Sequence, residues 1–323
     1  MRKILLGVAL GFWAIALSAM AFAADYPNRP VRVVVGFSAG SGVDVLARVV
    51  AQKLSDTMGQ AFVIENRPGA GSNIGTRYAA SAGPDGYTLF VATVANAINA
   101  TLYRNLEFDF LKDFSPIILA GTAPNFLVVK PSLPAQTVAD FIQLAKSKPK
   151  TLTLGSSGNG TVVQMAGAMF RKRSNADLVP VPFKGGPEAT SALLGGQIDS
   201  LFAISSTVLP HISAGTLRAL AVTSRERSAV LPQIPTLNES GMPGFEAVTW
   251  FGFTAPTGTP RDIIDLLNAE IGKILAMPDV RETLAKQGID VARGTPDQFA
   301  TYMQAEFPKW KELVLDSGAT IQD

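Results

Sequence analysis

Between Val31 and Leu54 the chain reads VRVVVGFSAGSGVDVLARVVAQKL, and its apolar period changes once along the way. Val31–Val35 is a β-branched run that predicts a buried strand. Gly36–Gly42 interrupts it with three glycines among small residues. Val43, Leu46, Ala47, Val50, Ala51 and Leu54 then recur at spacings of three and four, which predicts an amphipathic helix. A second unit of this kind follows, with strand Ala61–Glu65, loop Asn66–Gly75 and helix Thr76–Ala82. After the turn Pro84-Asp85-Gly86, Tyr87–Ala92 predicts a strand ending at Thr93, and Ala97–Tyr103 a helix. Ile117–Leu119 and Phe126–Val129 predict two strands around a loop holding Pro124. Ala135–Lys148 predicts a helix closed by Pro149.

The opening pattern returns at Thr151. Thr151–Leu154 predicts a strand, Gly155–Gly160 a loop, and Thr161–Arg173 a helix with Val162, Met165, Ala166, Met169 and Phe170 on one face. Strand Leu178–Pro182, helix Glu188–Gly195 and strands Ser200–Ile204, Leu217–Thr223 and Val248–Ala255 follow. The remainder reads as helices Arg261–Ala276, Asp279–Gln287 and Pro296–Leu315. Alternating strands and helices predict an α/β fold of two doubly wound, Rossmann-like blocks with parallel sheets. Such sheets bind ligands at the carboxyl ends of their strands. In each block a strand runs through a small-residue loop into a helix, whose first N–H groups and positive dipole end form an anion site. The extended apolar stretches near Ile117–Val129 and Gly244–Ala255 read as hinge strands. A chain returning to its first block there gives one lobe of residues 24–123 and 248–323, and a second lobe of residues 124–247.

Composition changes this picture in one respect, the address. Arg2 and Lys3, the apolar run from Ile4 to Ala19 and then Ala21-Phe22-Ala23 predict a secretory signal peptide over residues 1–23. Without the leader's two cations, 26 basic residues face 26 acidic ones, and no basic cluster offers a footing for nucleic acid. The sequence has no Cys, which removes disulfides and thiolate metal sites. An exported chain without disulfides suits a bacterial periplasm, stabilised by core burial.

Candidate chemistry is sparse. Gly36-Phe37-Ser38-Ala39-Gly40 matches the G-x-S-x-G nucleophile elbow between a strand and a helix, which would make Ser38 the nucleophile of an esterase. Against it, the motif falls on the first strand, an HGGG-type oxyanion motif is missing, and the single histidine, His211, lies in a surface helix end. The loop is neither a P-loop nor G-x-G-x-x-G. One His and no Cys leave only carboxylate metal sites, without EF-hand spacing, so neither metal nor cofactor is expected. Asp44 can complement the helix dipole or contact a ligand amine or hydroxyl. Asn159 and Thr161 share that ambiguity, Thr161 as an N-cap, and Lys184 can face an anion or solvent. Trp250 and Phe251 read as hinge or core aromatics.

Val34–Arg48, Glu65–Gly75 (ENRPGAGSNIG), Asp85–Leu89 (DGYTL), Gly155–Thr161 (GSSGNGT), Val181–Gly186 (VPFKGG) and Trp250–Pro260 (WFGFTAPTGTP) together resemble the Bug-type solute receptors, the periplasmic binding proteins of tripartite tricarboxylate transporters. The resemblance implies a monomeric two-lobed Venus flytrap, type II-like, that captures a small carboxylate and delivers it to a membrane permease. A solute-binding sensor for a signalling kinase is the alternative partner. By the same resemblance the first ligand loop is Phe37, Ser38, Ala39, Gly40, Ser41, Gly42 and Asp44. The second is Ser156, Ser157, Asn159, Gly160 and Thr161, with Thr93, Lys184 and Gly185 beside them. Similar sequences show Gly-Gly-x-x-Asp where Gly40-Ser41-Gly42-Val43-Asp44 stands, often His at Gln164, and an Asn-containing pattern at Ser200–Thr207. Those positions line the expected pocket, so the ligand's identity does not follow from the resemblance.

Overall fold

A computed structural model describes residues 26–319; the leader expected over residues 1–23 lies outside the described residues. Four valines around Arg32 make β1 (Val31–Val35), and all four are fully buried. Helix α1 (Gly42–Met58) buries Val43, Leu46, Ala47, Val50, Ala51 and Leu54, the stripe its spacing predicts, and stops at left-handed Gly59. Then come β2 (Phe62–Asn66), a 3₁₀ turn at Ala70–Ser72, α2 (Asn73–Ala80), β3 (Thr88–Thr93) and α3 (Val94–Leu102). A short α4 (Phe110–Asp113) leads into β4 (Phe114–Val129). Next are α5 (Val138–Ser147), β5 (Thr153–Ser156), α6 (Val162–Ser174), β6 (Val179–Pro182) and α7 (Gly186–Leu194). The chain continues through β7 (Ser200–Ile204), α8 (Ser205–Ser213), β8 (Arg218–Val222) and β9 (Val248–Pro256). It ends in α9 (Arg261–Ala276), α10 (Pro278–Lys286), β10 (Asp290–Val291) and α11 (Pro296–Ser317).

The strands lie in the order β2-β1-β3-β9-β4-β7-β5-β6, with β8 and β10 also on β4. Strand β1 is parallel to β2 and β3, and β5 is parallel to β6 and β7. Among the described residues, only β9 and β4, antiparallel to their neighbours, carry the chain between these parallel blocks. The architecture is therefore mixed α/β rather than purely parallel. The two strands expected around a Pro124 loop are one continuous strand. Pro124 stands on the last rung of β4 with β9, opposite Val248, and from Asn125 onward β4 pairs with β7 and β8 instead. A residue without an N–H is tolerated where one ladder ends and another begins.

Beyond β9 the chain rebuilds the first block. Ile263, Leu267, Ile271 and Ile274 of α9 share a core with Val31, Val33 and Leu46. Helix α11 does more, packing on α3 of the first block and on α6 of the second. Its Phe299, Met303, Trp310 and Val314 lie in one apolar cluster with Phe90, Ile98, Met165 and Phe170. Glu306, on the same helix, is 6% exposed. Its Oε2 accepts from Trp250 Nε1 at 3.1 Å and Trp310 Nε1 at 2.8 Å, and its Oε1 from Lys309 Nζ at 2.9 Å.

Candidate functional site

The loops after β1 and β5 are built alike. Each ends in a left-handed glycine followed by the N-cap of a helix, Gly40 (φ +77) before Ser41 and Gly160 (φ +75) before Thr161. Each glycine N–H donates to the side chain four residues on. Gly40 N–H reaches Asp44 Oδ2 at 2.9 Å, and Gly160 N–H reaches Gln164 Oε1 at 2.7 Å. The first helical turn thus clamps its own loop, once with a charged acceptor and once with a neutral one.

Asp44 is 1% exposed and fully engaged. Besides Gly40, Arg48 Nε donates to Oδ2 at 2.8 Å and Asn66 Nδ2 to Oδ1 at 2.8 Å, while the same Asn66 amide reaches Phe37 O at 3.0 Å. Burial pushes the Asp44 carboxyl up, but the hydrogen bonds from Arg48, Asn66 and Gly40 outweigh it and hold it below the usual carboxylate range. A depressed folded-state pKa stabilises the fold above the unfolded value and ceases to do so as pH falls through the folded one. Asp44→Asn is therefore expected to cost about 1–2 kcal/mol at pH 7. The gap to the unsubstituted protein should close as pH falls below about 4, which paired urea titrations across pH 3–7 would measure.

The two loops border an open cavity of about 60 Å³ between the blocks. At roughly 10–15 Å³ per water-sized position it has room for a small ligand. Of the expected site residues, Phe37, Ser38, Ser41 and Gly42 line it from the first block, with Thr93 at the end of β3. Ser157, Thr161 and Gly185 line it from the second. None of the described residues lining it is charged. The blocks touch at its rim: a Cβ at Gly185 would stand 3.1 Å from Ser38 Oγ, and one at Gly71 would stand 2.6 Å from Asn159 O.

The other expected residues lie elsewhere. Ala39 and Gly40 form the exposed outer edge of the first loop, and Asp44 is its clamp. Gly160 packs on Asn99, whose Oδ1 a Cβ there would meet at 2.1 Å. Ser156 and Asn159 line a separate, larger groove with Gln164 and Arg171, and Asn159 Oδ1 accepts from Gln164 Nε2 at 3.2 Å. The Lys184 side chain is exposed, and its backbone N–H donates to Glu188 Oε2 at 3.1 Å. No hydrogen bond among the described residues joins Ser38 to His211 or to a carboxylate.

Sequence reasoning missed the side of the cavity formed by β4 and β9. Asn125 and Thr249 stand where β4 and β9 cross between blocks, with Asn125 Nδ2 donating to Ala247 O at 2.7 Å. Val94 and Ala95 enter from the start of α3, whereas Ile204 and Thr207, at the start of α8, fall in the Ser200–Thr207 stretch already expected on the lining. Thr93 caps α3 in a reciprocal box with Asn96. A strand ending in a polar residue before a helix was the available signal at Thr93, and β7 running into Ser205-Ser206 repeats it.

The sequence profile described as "Tripartite tricarboxylate transporter family receptor" matches residues 46–318. Among curated proteins, BugT of Bordetella pertussis is 34% identical over 324 aligned residues, covering 100% of this chain and 99% of its own. Among solved structures, Rpa4515 of R. palustris with adipate superposes with a TM-score of 0.89 at 34% identity, over 92% of this chain and 100% of that one. MatC of Rhodopseudomonas palustris with bound malate gives 0.85 at 32% identity, over 90% and 100%.

Proposed function

Because this chain belongs to the receptor family of the tripartite tricarboxylate transporters, a family of periplasmic binding proteins that are not enzymes, we propose that it captures a small carboxylate in the cavity between its blocks and passes it to a membrane permease. The esterase reading of Ser38 falls with that membership. The observation that supports the carboxylate is the cavity itself, where two loop-to-helix turns from opposite blocks meet without a charged side chain. Helix N-termini attract anions through their free N–H groups and the dipole, so the site needs no cation. The relatives whose structures contain adipate and malate fit this reading.

The lobes are residues 24–123 with 248–323 and residues 124–247, hinged where β4 and β9 cross, and the protein works in the periplasm after residues 1–23 are removed. Each helix N-terminus contributes about 0.3–1 kcal/mol, up to about 2 when partly buried. Each hydrogen bond to the charged group adds roughly 1.5–3 kcal/mol. Three or four such bonds reach the roughly 8 kcal/mol of a micromolar complex after ordering costs. Native mass spectrometry of the protein purified from periplasm, followed by calorimetry with the acid released on unfolding, tests this. The expected result is a small carboxylic acid binding at micromolar concentration or tighter, with its amide analogue silent. A neutral or cationic ligand at full occupancy would overturn it.

A further inference from the structure

The sheet forms one wall of the cavity, and its register fixes which side chains stand on that wall. Ile204 ends β7 and pairs with Asn125 of β4, while Ala123, two residues back on β4, pairs with Thr249 of β9. Side chains two apart on a strand, or opposite one another on antiparallel strands, share a face. Ile204, Asn125, Thr249 and Phe251 therefore make one contiguous patch, and all four line the cavity.

The polar groups of this patch are turned on one another. Asn125 Nδ2 donates to Ala247 O at 2.7 Å, and its Oδ1 accepts from Thr249 Oγ1 at 3.4 Å. Asn125 is fully buried, and Phe251 and Thr249 are 1% and 6% exposed. Ile204 is only partly buried, so the surface this wall offers a ligand is an aliphatic side chain. Thr207, three residues on, spends its hydroxyl on Ile204 O at 3.0 Å.

Ile204 is also the N-cap of α8 and makes no capping hydrogen bond. Isoleucine is among the least favourable residues at that position. At the other helix starts on the cavity the N-cap is threonine for α3 and α6, serine for α1 and glycine for α7. The isoleucine serves the cavity instead of its helix. It reaches the first block, packing on the apolar cluster that holds Val43 and Phe251. A Cβ at Gly42 would stand 2.7 Å from its Cδ1, so the bare backbone there leaves the space it enters.

Free hydrogen-bonding groups lie on the loops. The Ser38 and Ser157 hydroxyls line the cavity and have no hydrogen bond among the described residues, and the starts of α1 and α7 lack a side-chain cap. These suit the charged part of a ligand. A hydroxyl on its carbon chain, set against Ile204, would lose water without gaining a partner.

We propose that Ile204 sets the specificity of the receptor, which takes carboxylates with a bare hydrocarbon chain in preference to their hydroxy counterparts. This deepens the carboxylate-receptor reading above and rests on it.

Calorimetry on the protein freed of bound ligand tests it with acids matched in length and charge: propionate against lactate, butyrate against 3-hydroxybutyrate, and succinate against malate. In the pair that binds tightest, the hydrocarbon member is expected to bind at least about tenfold tighter than the hydroxy acid. Ile204→Val and Ile204→Thr have one shape and differ by a methyl group against a hydroxyl. Ile204→Val should keep the preference within about threefold of its original value. Ile204→Thr, which gives a ligand hydroxyl a partner, should reduce it about tenfold. Threonine is also the better N-cap, which supports the fold of that variant. A hydroxy acid binding as tightly as its partner in the unsubstituted protein overturns the selectivity. The same preference in Ile204→Val and Ile204→Thr overturns the role of Ile204. Silence from all six acids overturns the carboxylate reading, and this inference with it.

Discussion

Gly160→Val is expected to abolish ligand capture, by at least about a hundredfold, while the protein still folds. Two effects coincide at this position. Its φ of +75 is a left-handed conformation that costs an L-residue about 1–2 kcal/mol. That penalty applies to the fold and lowers the melting temperature by a few degrees in a protein this size. The second effect acts between the blocks. A Cβ would stand 2.1 Å from Asn99 Oδ1 and 2.9 Å from Asn99 Cγ. Asn99 has no freedom to yield, being fully buried with its Nδ2 donating to Gly71 O at 2.7 Å and Asn73 Oδ1 at 3.0 Å. The blocks must then stand apart, and a ligand held between them loses one of its two walls. A loss of about 3 kcal/mol in binding corresponds to roughly a hundredfold. Gly215→Val separates the two effects. Gly215 has nearly the same φ, +69, with nothing within 4 Å of its Cβ position. It should lose comparable stability and bind normally. Binding within about tenfold of normal in Gly160→Val, measured by calorimetry, would show that closure does not pass through Asn99.

What the sequence could reveal follows from the range of the forces involved. The valines of β1 and the stripe of α1 are local patterns, and both elements form as their periods predict. The repeated loop was legible for the same reason. Even its clamp is written at a spacing of four, Gly40 to Asp44 and Gly160 to Gln164, although the spacing alone did not say whether Asp44 faces the loop or a ligand. Side-chain donors from Arg48 and Asn66 decide that, and Asn66 lies 22 residues away. Pro124 misled because a proline inside an apolar run ordinarily marks a break. Only the three-dimensional fact that β4 changes partners there makes it tolerable. The approach of Ser206 to Gly42 was illegible for a stronger reason. Its place opposite Gly42 comes from the meeting of two blocks, and no periodicity in either block encodes the approach of the other.

The long return of the chain into α11 leads to the second large effect: Glu306→Ala is expected to destabilise the protein by about 3–5 kcal/mol. The carboxylate bridges strand β9, through Trp250, to α11, through Trp310. Removing it orphans two buried indole N–H groups, each costing about 1–3 kcal/mol, and leaves a void beside two tryptophans that are each 1% exposed. Lys309 adds less, because its side chain is 40% exposed and can turn to water. Replacing a buried charged group by an apolar one can be neutral when its partners are also replaced. Here the indoles remain, so Glu306→Leu should recover the lost packing but not the hydrogen bonds, and should stay well below the unsubstituted protein. Glu306→Gln keeps an acceptor for the indoles and should lose only about 1–2 kcal/mol. The neighbouring Tyr302 phenol, pushed up first by burial and then by the charges of Glu306 and Glu246, should titrate at lower pH once Glu306 is neutral. At about 2–4 °C per kcal/mol, Glu306→Ala should melt roughly 6–20 °C lower by calorimetry, with a shift in indole fluorescence before the main transition. A melting temperature within about 2 °C of the unsubstituted protein would mean that apolar packing of α11 against both blocks holds β9 and α11 together without this carboxylate.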